Sequence, residues 1–464
     1  MSLSTALSIA LSGIQATQIQ LQLASNNIAN AQSAGYTEKS ATLNSVALGG
    51  VTGGVSVTGY TRATSDALTQ SYNQSTSSAS MLGTQNGYLQ DVQTILNSTS
   101  NNPALSDAIA QFSSAWTQLS AQPENTTQQQ AVIQAGVNLA NQVNNIASQV
   151  HALNVQVQND TSATVKTLNT ALQKVADLNQ QISTAIASQQ PVDDLEDQRD
   201  QAINAVASIT GVTVMQRPQD GVALYTPNGV LLLDGTARTF SYDAGTGKVT
   251  DNVGSDVTSG LVGGSLQGEL QFAATAPGTP SSSPAVNVIQ KLNAQLTDLV
   301  QAFTQSTNTS GATTFEAAYN PGGSGEDFFT ATGNDPNTFA VNPDLLDGGT
   351  TIPEDNVENV ATTFGANFNF SDASAGLTLG SGTYADLGTA ILSNFQQAAN
   401  TVSAQSSSAT QQQTYFQTAL SSATGVNVDT ELVNLTTLQN SYAATAHVIS
   451  TISEMFNELV SILP

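Results

Sequence analysis

Apolar residues at Leu3, Leu7, Ala10, Ile14, Leu21, Ala24 and Ile28, with Thr17 the polar member of the series, alternate at spacings of four and three. That is the heptad period of a helix offering one stripe to a partner, and about four heptads span ~40 Å. Near the other end, Leu432, Leu435, Leu438, Tyr442, Ala446, Ile449, Ile452, Phe456, Leu459 and Leu463 repeat at three and four. Either stripe alone suits an ordinary core helix as well as a coiled-coil seam. Their joint placement at the two ends, where a globular unit usually frays, favours the seam. Ser, Gln and Asn flank the first stripe in place of charged pairs, so this helix needs a partner to fold.

Between the stripes the period changes several times. Over 36–65, Gly49-Gly50, Gly53-Gly54 and Gly59 punctuate Val51, Val55 and Val57, which predicts a loop and a β-hairpin. From Asp66 to about Ser120 the spacing is helical, broken at Pro103, and a further long helix runs from Val143 to Ile182, ending before Pro191. Beyond Gly211, short β-branched runs between Asp220-Gly221, Asn228-Gly229 and Asp234-Gly235 read as antiparallel strands. One helix, about 285–305, interrupts this region, and Phe364, Phe368 and Phe370 stand as isolated apolar anchors before helix resumes near Tyr384.

The expected fold is α+β and multidomain. Terminal coiled-coil helices occupy 1–35 and 432–464, a loop and hairpin 36–65, a long-helix bundle 66–210 and 384–431, and a separate β-rich domain 211–383. Nesting of this kind brings the two terminal helices to the same end of the molecule.

Composition narrows the function. The chain has 9 Lys+Arg against 34 Asp+Glu, a net charge of −25, which argues against nucleic acid and anionic membrane as partners. Charged residues are 9% of the chain against a typical ~25%, so Gln, Asn, Ser and Thr must cover the solvated faces. No Lys or Arg follows Lys291. Cysteine is absent, which removes disulfides, thiol catalysis and zinc-thiolate sites. No apolar run reaches the ~18 residues of a membrane span. Met1 to Leu11 lacks the basic region of a cleaved secretory signal, the first cation being Lys39.

Catalytic patterns are missing. The two histidines, His151 and His447, lie in long helical stretches without partners at metal-ligand spacing. Gly247-Lys248 is followed by Val249 where a phosphate loop needs Ser or Thr, and no Gly-x-Ser-x-Gly elbow occurs. The run Asp193-Asp194-Leu195-Glu196-Asp197-Gln198-Arg199-Asp200 lacks the glycine and ligand alternation of a calcium loop and reads as a solvated helix start complementing the helix dipole. Paired carboxylates for glycoside hydrolysis stay open, since sequence does not fix their separation. No catalytic residue, metal or cofactor is expected.

Several segments together resemble one family. Ser25-Asn26-Asn27-Ile28-Ala29-Asn30 with Gly35-Tyr36-Thr37 is similar to the N-terminal signature shared by flagellar rod, hook and hook-associated proteins. Leu195 to Asp200 leading into Gly211-Val212-Thr213-Val214, and Gly325-Glu326-Asp327-Phe328-Phe329, resemble segments of the FlgK family. Gly425 to Glu431 before Leu435, Gln439, Tyr442, Ala443, Ala446 and Ile449 resembles its closing helix. The chain departs from the pattern at Glu38, Val428 and Thr430, and the likeness lapses over about 333–382.

The resemblance implies a non-enzymatic adaptor at the hook-filament junction, outside the cell, exported through the flagellar type III channel. Its terminal helices, unfolded in the monomer, would pair on assembly, so that Leu3, Leu7, Ala10, Ile14, Leu21, Ala24 and Ile28 and the stripe from Leu432 to Leu463 form the assembly interface. Asn26, Asn27, Asn30, Gly35 and Tyr36 carry the signature. Implied partners are copies of itself, the hook protein, the second junction protein and an export chaperone of the FlgN type. Alternative readings are a flagellin or hook protein, or a secreted acidic hydrolase or adhesin with helical stalks.

Overall fold

A computed structural model describes residues 3–48, 51–97, 104–218, 221–273, 287–305, 313–323, 325–369 and 381–461. In chain order these form α1 (Leu3–Asn30), the hairpin strands β1 (Lys39–Leu48) and β2 (Val51–Arg62), then α2 (Asp66–Leu96), α3 (Leu105–Ser120), α4 (Thr126–Ala187) and α5 (Asp193–Ile209). Strands β3 (Thr213–Gln216), β4 (Val222–Tyr225), β5 (Leu231–Asp234), β6 (Thr236–Ala237), β7 (Phe240–Asp243) and β8 (Lys248–Asp251) follow. Then come α6 (Gly264–Phe272), α7 (Val288–Thr304), α8 (Phe315–Tyr319), β9 (Phe329–Thr330), β10 (Ala340–Val341), α9 (Pro343–Leu346), α10 (Val357–Thr363), β11 (Phe368–Asn369) and β12 (Ser381–Gly382). Two long helices, α11 (Tyr384–Thr424) and α12 (Val428–Ser461), close the described chain. The fold is α+β with long helices predominating.

Helix α4 is the spine. Asn125 caps it, its side chain accepting from the backbone N–H groups of Thr127 and Gln128, and its 62 residues rise about 93 Å. Its N-terminal half buries Val132, Leu139, Val143, Ile146, Val150 and Val157 in one core, shared with α2, α3, α7 and α11. Its C-terminal half buries Val165, Leu168, Leu172 and Val175 in a second core with α5, α6 and the small sheet. Helix α11 starts at a capping box, Thr383 with Asp386, and runs back along α2, where the Gln413 amide donates to the Thr76 hydroxyl at 3.2 Å.

The stretch 211–383 differs from the expected separate β-rich domain. Its larger sheets, β3-β4-β5-β6 and the pair β7-β8, end at Asp251, and only the two-residue pairs β9-β10 and β11-β12 follow among the described residues. The helix expected at about 285–305 is α7. Phe303 of α7 and, past it, Phe315, Phe328, Phe329, Phe339, Phe364 and Tyr384 gather around Phe112 and Trp116 of α3, with neighbouring ring centroids 4.6 to 6.3 Å apart. Rings at irregular spacing look isolated in sequence, yet each is sunk into the bundle's own core, so the segment has no interior of its own. Phe364 and Phe368 belong to this cluster; Phe370 lies outside the described residues.

Asparagines replace salt bridges as fasteners. On α4, Asn169 both donates to the Phe240 carbonyl and accepts from its N–H, at 2.8 Å each. Asn179 makes the same pair with Val222, and Asn144 donates to the Phe339 carbonyl at 2.8 Å. A side-chain amide presents the donor and acceptor of a peptide group, so it stands in for a neighbouring strand.

Candidate assembly interface

Helices α1 and α12 pack antiparallel. Gly13 lies against Thr445, the Gln18 amide donates to the Tyr442 hydroxyl at 3.5 Å, and the Asn27 amide to Glu431 at 2.7 Å. The hairpin covers another face of α1, where the Val55 N–H donates to the Ser12 hydroxyl. Gly54, at φ +127°, sits where a Cβ would collide with Ser12.

Burial of the predicted stripes is uneven. Ala10 and Ala24 are buried, Leu3, Ile14, Thr17, Leu21 and Ile28 half-buried, and Leu7 is exposed. On α12, Leu435, Leu438, Tyr442, Ala446, Ile449 and Ile452 are half-buried, whereas Leu432, Phe456 and Leu459 are exposed. Leu463 lies outside the described residues. A pair of helices can cover only one stripe on each, so Leu11, Val433, Val448, Met455 and Val460 also face solvent. An apolar surface of this kind marks an interaction site.

Below the helix pair sits a polar joint. Asn27, 1% exposed, donates through Nδ2 to the Lys39 carbonyl (2.9 Å) and to Glu431, while its Oδ1 accepts from the Lys39 N–H (3.1 Å) and the Tyr36 hydroxyl (3.0 Å). One side chain thereby ties α1, the hairpin and α12 together. Asn30 donates to the Asn26 carbonyl at 3.0 Å and Gly35 turns the chain at φ +73°, where a Cβ would meet the Gln201 side chain at 2.5 Å. The Tyr36 ring lies 4.2 Å from the Lys39 ammonium. Asn27, Gly35 and Tyr36 thus meet where α1 turns into the hairpin against α5.

The acidic run is a solvated helix start only in part, Asp194 being exposed. Asp193, Asp197 and Arg199 are buried, and no side chain caps the helix. Hairpin register sets Lys39 opposite Arg62, placing two cations side by side, and α5 supplies their counter-charges. Lys39 pairs with Asp194 and, at 3.3 Å, with Asp197. Arg62 reaches Glu196 at 2.9 Å, Asp197 at 3.2 Å and Asp200 at 2.6 Å; Arg199 lies 3.5 Å from Glu196. Thr37 donates its hydroxyl to Asp197 at 2.8 Å. Burial works against both hairpin cations, but Asp194 beside Lys39 and Asp200 beside Arg62 outweigh it and hold their pKa values above the ordinary ones. Sequence reasoning missed this clasp because the pairing is set by a fold contact over more than a hundred residues.

The departures from the family pattern fall here as well. Glu38 donates its N–H to the Thr424 carbonyl at 2.8 Å, and burial, with Glu431 nearby, raises its carboxyl pKa. Asn427 caps α12, accepting from the N–H groups of Asp429 and Thr430, and Val428 is exposed. Among the described residues no three His, Cys, Asp or Glu side chains are grouped to hold a metal ion, and no helix is long and apolar enough to cross a membrane. His151 and His447 are exposed. Two buried carboxyls went unnoticed in the sequence. Burial pushes Glu269 up to about 7 and Glu316 up to about 9, both inside the bundle and away from the joint.

Residues 89–329, just over half of the chain, match the family model described as flagellar hook-associated protein FlgK helical domain. Residues 417–462 match the flagellar basal body rod FlgEFG protein C-terminal model. The chain is 30% identical over 244 residues to flagellar hook-associated protein 1 of Salmonella typhimurium, covering 51% of this chain and 44% of that protein. It is 27% identical over 350 residues to that of Escherichia coli K12, covering 70% and 60%. The matches thus span about half the length of these relatives. The flagellar hook junction protein FlgK from Burkholderia pseudomallei superposes on 57% of this chain and 47% of its own, with a TM-score of 0.44 and 21% identity.

Proposed function

The chain belongs to the FlgK family of flagellar hook-associated proteins, and from that premise we propose that it is a structural adaptor joining hook to filament, without enzymatic activity. The observation that carries this reading is the antiparallel pair α1 and α12, whose outer apolar residues, from Leu7 and Leu11 to Phe456 and Leu459, are left exposed by the described residues. Copies of the chain would bury them side by side, and the hook protein and the second junction protein would continue the contact on either side. An apolar helix face of this sort also needs covering before assembly, which is the task of an export chaperone of the FlgN type. The adaptor works outside the cell, at the base of the filament.

Deletion of the gene tests the reading. Cells should retain hooks, lose attached filaments and shed filament protein into the medium, and the intact chain supplied in trans should restore them. Filaments that stay attached in the deletion strain would overturn it. Restoration should fail when the exposed Val433, Phe456 and Leu459 are together replaced by Ser, while the helical bundle stays folded by circular dichroism.

A further inference from the structure

A groove of about 590 Å³ opens on the bundle between α2 and α4, and none of its lining residues belongs to the terminal helices or the hairpin. Tyr88 and Asp91 stand three apart on α2, Asp160 and Thr164 four apart on α4, so each pair shares a helix face. Glu269 of α6 lines the groove from within, 5% exposed. The Thr164 hydroxyl donates to its Oε1 at 2.8 Å, while Oε2 is buried with no hydrogen-bond partner. The Tyr88 hydroxyl donates to Asp160 at 2.8 Å and so does not serve Glu269. No Lys or Arg is among the lining residues. A buried carboxylate oxygen without a donor is unfavourable, and a cationic donor entering the groove relieves it.

We propose that this groove binds alkylammonium groups, of the kind carried by aliphatic polyamines and lysine side chains, with one ammonium donating to Glu269 Oε2 and its chain running outward past Asp160 and Asp91. A metal ion fits less well. Among the described residues no three carboxylates are grouped to hold one, whereas amines strung along a chain can meet carboxylates that stand apart. Gly87 leaves room for the methylenes, since the position of a Cβ there meets open space. Burial, with Asp160 adding to it against the Thr164 bond, holds Glu269 up to about 7, so its ionisation is coupled to binding. Tyr88, Asp91 and Asp160 are the other titratable groups lining the groove. The site lies in the helical bundle and is independent of the adaptor reading.

Isothermal titration of the full chain with spermidine and with Nα-acetyl-lysinamide tests the proposal. Affinity should rise about tenfold from pH 6 to pH 8, as Glu269 passes from about a tenth to about nine-tenths ionised while the ligands stay ammonium. Glu269→Gln should weaken binding about ten- to hundredfold at pH 8, the loss of one charge-assisted hydrogen bond, and flatten the pH dependence. Gly87→Leu should fill the groove and abolish binding. Tighter binding of spermidine would identify a free polyamine as the ligand, and equal affinities a lysine side chain; both support the site. Binding unchanged in Glu269→Gln and Gly87→Leu would be diffuse attraction to an acidic chain and would overturn the proposal, as would no binding of either ligand at pH 8. Should Gly87→Leu fail to fold, Glu269→Gln decides, since it replaces the carboxylate with an amide of the same size.

Discussion

Asn27 is where three elements depend on one amide, and replacing it with Ala removes four hydrogen bonds at 2.7 to 3.1 Å. The bond to Glu431 is charge-assisted, worth ~1.5–3 kcal/mol, and the neutral ones ~1 kcal/mol each, partly recovered by water, so the loss is about 3–5 kcal/mol. That figure falls on the terminal unit, which buries few residues, and not on the bundle. Asn27→Asp should do worse, because a second carboxylate would face Glu431 where an amide now donates, and two charges ~4 Å apart at a partly buried site repel by about 4 kcal/mol. Glu431→Gln should rescue Asn27→Asp by restoring a donor. Hydrogen exchange read by mass spectrometry is the assay: peptides from 3–30 and 428–461 should lose protection in Asn27→Ala and Asn27→Asp, and regain it in the double variant, with α4 unchanged. Unchanged exchange in Asn27→Ala, or no rescue by Glu431→Gln, would refute the reasoning.

Other outcomes follow from the buried carboxyls and the glycines. Glu316 is neutral in the fold, its pKa pushed to about 9, and ionises above about 4.5 when unfolded, so its contribution to stability falls as pH rises between these values. Glu316→Gln should therefore raise the melting temperature at pH 7, by up to ~3 kcal/mol, and bring little gain at pH 4; equal gains at both would count against it. Glu269, raised to about 7, loses its contribution between about 4.5 and 7, and Glu269→Gln should help at pH 8. Gly136→Ala drives a Cβ to 2.8 Å from the Phe328 ring and should cost about 1–3 kcal/mol, whereas Gly83→Ala, in open space on α2, should gain ~0.5–1 kcal/mol in urea melts. In the unassembled chain, amides of α1 and α12 should exchange faster than those of α4, and protection as strong as the spine's would contradict an interface completed by neighbours.

Much of the architecture was legible because long helices write a 3.6-residue period. The break between α2 and α3, the end of α4 before Pro191 and the stripes of α1, α4 and α12 needed only spacing. The aromatic cluster was not legible, since Phe315, Phe328, Phe339 and Phe364 follow no period and meet Trp116 only when loops fold back on α3. The acidic run of α5 was misread for a related reason. A lone helix start rich in carboxylates is normally solvated, and nothing near it in sequence announces Lys39 and Arg62.

By itself, then, the sequence determined where the long helices run, that the two terminal ones carry apolar stripes, and that amides replace charges on most surfaces. It also carried the signature Asn26, Asn27, Asn30, Gly35 and Tyr36, though not its purpose. Tertiary structure decided that α4 serves two cores, that the middle segment has no core of its own, and that three of the few cations meet on α5. The physical reason is range: periodicity is local and each residue reports its own face, while a buried ring or ion pair exists only after distant segments meet.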